Sequence, residues 1–300
     1  MFSGVASSWG QRGWSRLTVS RSARDYSPLL SLALFAPLLL LLSFSFLYPV
    51  GRLLAGSLFA PELNVDRYIR LFLEPVYLRV LWRTFEIAFV VMLASFVLGY
   101  PVALAMAKLK GTWAAIVAAC VLIPLWTSVL VRSYAWIVLL QRNGLVNTVL
   151  QEAGLTTAPL RLIYTEGAVI MAMTHVLLPY MILPIYAAVR TIPDDLERAA
   201  KNLGAGGWTV FLRITLPLSL PGVFAGALMT FILSLGFYIT PALVGGPRTL
   251  MMGTLIGQQA TVLLDWPFAG ALSVVLLAAT LLLLSVFRKA LSFNKGVSGV

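Results

Sequence analysis

Six stretches of this chain are apolar over about twenty residues each: 29–50, 84–107, 113–131, 167–189, 220–239 and 268–286. A helix needs about 20 such residues to cross the hydrocarbon of a bilayer, where each backbone N–H and C=O must be paired inside the segment. The stretches therefore restrict the chain to one architecture, an all-α integral membrane protein with six transmembrane helices. Composition agrees, with 11% charged and 60% hydrophobic residues, against roughly a quarter charged in soluble domains. Residues 1–28 then form an N-terminal arm whose Ser, Arg and Gly content reads as disordered. Residues 29–287 are the membrane domain, and 288–300 are a short tail on the same side as the arm.

Charge sets the orientation. Arg12, Arg16, Arg21 and Arg24 precede the first stretch, and no small-residue cleavage site follows it, so it reads as an uncleaved anchor. With the N-terminus in the cytoplasm, thirteen of the 22 basic residues lie inside and nine outside, a shallow positive-inside bias. Arg52, Arg67, Arg70, Arg79 and Arg83 in the first outer loop work against it. The net charge of +11 is scattered over loops that flank the membrane, which fits attraction to anionic lipid and acidic partners rather than nucleic acid.

Several function classes drop out. No G-x-x-x-x-G-K-[ST] is present, so ATP is not bound in that way by this chain. There is no H-E-x-x-H or G-x-S-x-G, and the single cysteine, Cys120, excludes an internal disulfide and a cysteine-cluster metal site. No catalytic residue and no metal ligand set is assigned. His175, inside a stretch, has two readings, a proton relay or a histidine hydrogen-bonded to a neighbouring helix, and receives no role. Glu86 is the one acid within a stretch; such acids are functional candidates, but an interfacial ion pair with Arg83 explains it equally. Six spans without an internal repeat make half of a transporter, which pairs with a second membrane subunit to enclose a path.

The loop 190–219 is the polar segment that stands out. Ile192-Pro193-Asp194-Asp195 opens a helix, and Glu197, three residues after Asp194, has capping-box spacing. Gly204 falls where a C-terminal glycine belongs. Gly206-Gly207 allow a reversal before a short helix from Trp208 to Ile214, which Pro217 and Pro221 stop. Ala199-Ala200 beside the glycine would let another protein approach closely.

The spacing A-A-x-x-x-G-x(9)-I-x-L-P, here Ala199, Ala200, Gly204, Ile214, Leu216 and Pro217, is similar to the EAA loop of ABC-importer permeases. The resemblance implies the type I ABC importer permease fold and a cytoplasmic coupling helix that docks on a partner ATPase. ATP and Mg would be bound by that ATPase, with none bound by this chain. Glu197 and Arg198 belong to the same coupling segment, although Arg198 stands where the family usually has the glutamate of E-A-A, which puts that contact in doubt. GYPVALAMA at 99–107, PLWTSVLVRSYAWIVLLQRNGLVN at 124–147, LLPYMILPIYAAVRTIP at 177–193, FYITPALVGGP at 237–247 and DWPF at 265–268 resemble the permeases of spermidine/putrescine importers. The implied partners are a second six-span permease in a heterodimer, two copies of a cytoplasmic ABC ATPase, a periplasmic substrate-binding protein and membrane lipid.

Other residues carry paired readings. Pro101, Pro124, Pro179, Pro184 and Pro241 interrupt helices at membrane depth, either lining a cavity or kinking a packed helix. Trp126, Tyr134 and Trp136 are an aromatic belt or the rim of a mouth at which Arg132, Tyr134, Arg142 and Asp265 meet a binding protein. Asp265 also suits a helix cap. Trp126, Phe237, Tyr238, Thr240 and Glu86 are the candidates for a path or gate. Gly222 and Gly226 form a G-x-x-x-G for packing against a partner helix. Aromatic faces for an ammonium group are plentiful and acids scarce; polyamine permeases tend to carry an aspartate where this chain has Ala242. The resemblance implies a polyamine as the cargo, with another small amine, amino-acid derivative or metal complex as the alternative.

Overall fold

The computed structural model describes residues 28–59 and 62–295, so nearly all of the expected N-terminal arm and the end of the tail lie outside the described residues. Among the described residues the chain is helical, without a strand. A first compact unit ends at Gly51. It holds α1 (Pro28–Leu42), which passes through a π-helical turn at Ser43–Leu47 into the first residues of α2 (Tyr48–Phe59). Phe44 and Tyr48, one turn apart, stack with ring centroids 6.2 Å apart.

The second unit begins at Arg52. It contains α3 (Asp66–Leu73), α4 (Pro75–Lys108), α5 (Gly111–Trp126), α6 (Val129–Leu140), α7 (Leu145–Glu152) and α8 (Glu166–Arg190). After these come α9 (Asp194–Asn202), α10 (Gly207–Val210), α11 (Leu216–Leu235), α12 (Ile239–Val244), α13 (Met252–Thr261) and α14 (Trp266–Lys295). Five helical runs are long and apolar enough to cross a membrane, and a sixth is obtained if the bent pair formed by α5 and the α6–α7 segment counts as one span.

The centre of the unit is α4, α8 and α11. Ile87 and Val91 of α4 pack against Val169, Met173 and Leu177 of α8. Further along, Tyr100, Ala103 and Met106 meet Met181, Ile182, Ile185 and Val189, so the two helices run parallel. Lipid tails are as apolar as these side chains, so helices in a bilayer are held by close packing rather than by exclusion from water. Small residues supply the closeness. A Cβ on Gly222 would lie 2.5 Å from both the Ala188 Cβ and the Pro184 carbonyl oxygen, and one on Gly226 would lie 2.8 Å from the Met181 carbonyl oxygen. The partner helix of the G-x-x-x-G is thus α8 of the same chain.

A second core closes one end of the unit, where Tyr77 and Val80 of α4, Met252 and Leu255 of α13 and Phe268 and Leu272 of α14 pack around Leu71 of α3. Thr84 ties α4 to α13, accepting from the Met252 N–H at 2.8 Å. Asp265 accepts from the Phe268 N–H at 3.0 Å, which caps the start of α14.

Two of the expected spans take a different course. Residues 113–131 are not one straight helix: α5 stops at Trp126, and the following helical segment leaves at 104°. Pro124 lies in the last turn, its carbonyl accepts from the Thr127 N–H at 3.3 Å, and the Ser128 hydroxyl caps α6 by accepting from the Leu130 N–H at 3.2 Å. At 220–239, the helix begins earlier and stops at Leu235. Pro217 and Pro221 do not interrupt it at its start, because α10 runs through a π-helical turn, Phe211–Thr215, directly into α11. The Leu216 N–H reaches back five residues to the Phe211 carbonyl. That wider turn admits Pro217, which has no N–H to offer, in the first turn of α11.

Candidate functional site

The polar loop starts where α8 ends. Thr191 and Ile192 donate back to the Ala188 and Val189 carbonyls at 3.2 Å each, and Pro193, extended at φ −63° and ψ 131°, sets the direction in which α9 leaves. Asp194, Asp195 and Glu197 occupy the first turn of α9 and Lys201 the last, a distribution that complements the helix dipole. The expected capping box does not form, since Pro193 is the N-cap residue and makes no side-chain cap. Glu197 turns elsewhere.

Its carboxylate accepts from Lys108 Nζ, at the end of α4, at 2.8 Å and 3.0 Å. The Thr215 hydroxyl, just before α11, donates to it at 3.1 Å. One side chain of the loop thus bonds the adjacent ends of two core helices. The Lys108 ammonium holds the Glu197 carboxyl below the ordinary carboxylate value, outweighing the opposing effect of partial burial, and the Thr215 hydroxyl adds a smaller lowering.

Gly204 closes α9. The Ala205 N–H bonds the Ala200 carbonyl at 3.0 Å and the Gly204 N–H the Lys201 carbonyl at 2.9 Å, a Schellman motif. Gly204 sits at φ +84°, where a side chain would be strained. The reversal comes from this residue; Gly206, at φ −67° and ψ 159°, is ordinary extended backbone.

The outward surface of the loop combines charge and apolar bulk. Arg198 is 74% exposed and makes only a loose 3.9 Å pair with Asp195. Ala199 is exposed, Ala200 half-buried, and Leu203 and Trp208 flank Gly204 at 89% and 72% exposure. Behind them an aromatic ladder leads inward. Trp208 stacks on Phe211 at 5.3 Å, and Phe211 meets the edge of Tyr100 of α4 at 5.7 Å. The Tyr100 hydroxyl then shares a 2.7 Å hydrogen bond with Ser219 of α11. Ile214 and Leu216 are half-buried and Pro217 is exposed. Lys108, Thr215, Leu203 and Trp208 were not singled out as site residues from sequence. An exposed tryptophan in a polar loop was a usable signal for one of them; nothing in sequence pairs Lys108 with a glutamate 89 residues away.

The path candidates are not gathered into one site. Glu86 lines an apolar groove of about 860 Å³ between α4, α11 and α14, together with Trp82, Phe85, Phe89, Phe224 and Phe231. No ion pair with Arg83 forms: Arg83 donates to the Arg248 carbonyl, and the Glu86 carboxylate has no partner among the described residues. Thr240 is buried and shares a 2.9 Å hydrogen bond with Ser133, joining the break after α5 to the break after α11. Trp126 is exposed at the first of these breaks and Tyr238 at the second, while Phe237 packs on the α4–α8 core. His175 accepts from Trp136 Nε1 at 3.2 Å.

The docking candidates divide likewise. Arg132 is half-buried and directs its guanidinium to the carbonyls of Val176 and Thr127 at 3.4 Å and 3.3 Å. Tyr134 and Arg142 are exposed, and Asp265 is occupied as the α14 cap.

Known proteins place this architecture. The spermidine/putrescine transport system permease protein PotB of Haemophilus influenzae is 34% identical over 254 residues, 85% of this chain and 87% of its own. PotB of Escherichia coli K12 is 34% identical over 269 residues, 89% and 96%. Among solved structures, a bacterial alginate ABC transporter in complex with an alginate pentasaccharide-bound periplasmic protein has a chain of the same fold, with a TM-score of 0.74 at 19% identity, covering 91% of this chain and 96% of that one. Residues 52–294 match the family described as binding-protein-dependent transport system inner membrane component. The chain therefore belongs to the inner-membrane permeases of binding-protein-dependent ABC importers.

Proposed function

We propose that this chain is one permease subunit of an importer that takes a polyamine such as spermidine or putrescine from a periplasmic binding protein into the cytoplasm. In this reading the loop 190–219 lies in the cytoplasm with both chain ends, and α9 docks on a partner ATPase that binds the ATP and Mg. A second six-span permease completes the path, and a second ATPase copy serves it. The observation that carries the reading is the build of the loop: a capped helix, a left-handed glycine at the expected spacing, and exposed Arg198, Ala199, Leu203 and Trp208 around it. Exposed apolar side chains of that size on an otherwise polar loop suit a protein groove. The PotB relatives support the cargo, and the aromatic groove around Glu86 offers what an ammonium group requires, a carboxylate and ring faces.

The test is reconstitution with the ATPase, the second permease and the binding protein. Gly204→Leu forces a branched side chain into the left-handed region and is expected to lower uptake at least tenfold and to abolish stimulation of ATP hydrolysis by the loaded binding protein, with membrane insertion retained. Normal uptake by this variant would remove the loop from the coupling role. The ligand that co-purifies with the binding protein identifies the cargo, and one without an amine would overturn the polyamine reading.

A further inference from the structure

Helix α9 does not need Glu197 for its own stability. Its first turn already carries Asp194 and Asp195, and its last turn is closed by the Schellman bonds of Gly204 and Ala205. Only 20% of the Glu197 side chain is exposed, and its three oxygen contacts all go to other elements, Lys108 of α4 and Thr215 at the entry of α11. Neighbouring Arg198 faces solvent. The two residues thus divide the work of one helix: one side is free to meet a partner and the other is fixed to the bundle. The ladder from Trp208 through Phe211 and Tyr100 to Ser219 ends on the same two helices.

We propose, resting on the reading of α9 as the ATPase-docking helix, that Glu197 is the positioning residue that makes α4 and α11 follow α9: its carboxylate clamps the loop to both helix ends, so that a displacement of the docked helix is delivered to the groove they line. The clamp acts chiefly by fixing geometry, since one carboxylate holds a group from each helix end at the same time. Its loss lets α9 move on the ATPase while the core stays behind, and ATP is then hydrolysed without transport.

The experiment uses the assembled transporter in proteoliposomes and reads solute moved per ATP hydrolysed. Glu197→Gln and Lys108→Met are each expected to lower that ratio at least threefold, with the ATPase still co-purifying. The exchange Glu197→Lys with Lys108→Glu is expected to recover more than half of the loss, which a merely structural contribution to loop folding would not do. Should Lys108→Met fail to assemble, Lys108→Arg, which keeps the charge, is expected to retain the ratio. An unchanged ratio in Glu197→Gln, or an exchange no better than the single variants, overturns the clamp. Cross-linking of Arg198→Cys in a Cys120→Ser background separates the two levels of the argument. A cross-link to the ATPase with an unchanged Glu197→Gln ratio overturns the clamp alone, whereas no cross-link with the clamp intact overturns the docking reading beneath it.

Discussion

Glu197 makes a different contact from the one its position in the sequence suggests. Its spacing from Asp194 suits a capping box, yet Pro193 takes the N-cap position and the carboxylate goes to Lys108 and Thr215. An ammonium group 2.8 Å away is a stronger partner than the backbone N–H it would otherwise cover. The pairing has a consequence for pH. A carboxyl whose folded pKa is lowered contributes fully above its unfolded value, about 4.3, and loses that contribution as the pH falls through the folded value. Lys108 holds Glu197 on the low side, so it stays ionised across neutral pH. The ratio of solute moved to ATP hydrolysed is expected to be flat from pH 6 to 8 as far as this residue is concerned; a step there that Glu197→Gln abolishes would show that the carboxyl titrates in that window.

Among the elements, α11 departs most from what its residues suggest. Two prolines near its start read as a stop, but the preceding π-helical turn carries the helix through. The turn also presents Thr215 and Phe211 to the loop, so the irregularity and the anchorage occupy the same five residues. Its glycines set how deeply α11 enters α8. Gly226→Leu would place a side chain against the Met181 backbone, where a Cβ alone already falls within 2.8 Å. Overpacking of this kind costs about 1–3 kcal/mol or more, and the rigid backbone on the other side leaves little room for relief. The variant is expected to show a melting temperature in detergent lowered by several degrees and a reduced yield of assembled complex; an unchanged melting profile would mean that α8 and α11 are further apart than described.

At the scale of the molecule, the membrane class, the near-complete set of spans and the EAA-like loop were legible because each depends on local residues: runs of apolar side chains, a glycine at a helix end, a fixed spacing. What was not legible depends on residues far apart in the chain. The groove is assembled from residues near 78–92, 224–232 and 280–284, and no local pattern announces that Glu86 lies beside Phe224 and Phe231 of α11 and Leu283 and Leu284 of α14. Nor does it announce that Arg132 turns inward or that Gly222 and Gly226 are spent within the chain. If the groove is part of the path, Glu86→Gln removes its one carboxylate and is expected to raise the KM for polyamine uptake about threefold to tenfold, the scale of an ammonium contact in a partly solvated site, with complex assembly unaltered. Equal KM values would place the route elsewhere.

The clamp also has a place in time. Lys108 emerges from the ribosome 89 residues before the carboxylate that will hold it, and Thr215 follows 18 residues after that carboxylate. Until the entry to α11 has been made, Glu197 has Lys108 to fasten to but not Thr215. On the proposed reading of α9, a newly made chain completes the clamp only once α11 has been entered, and an ATPase that selects the fully fastened loop over a loose one would inspect each permease for a finished core before joining it.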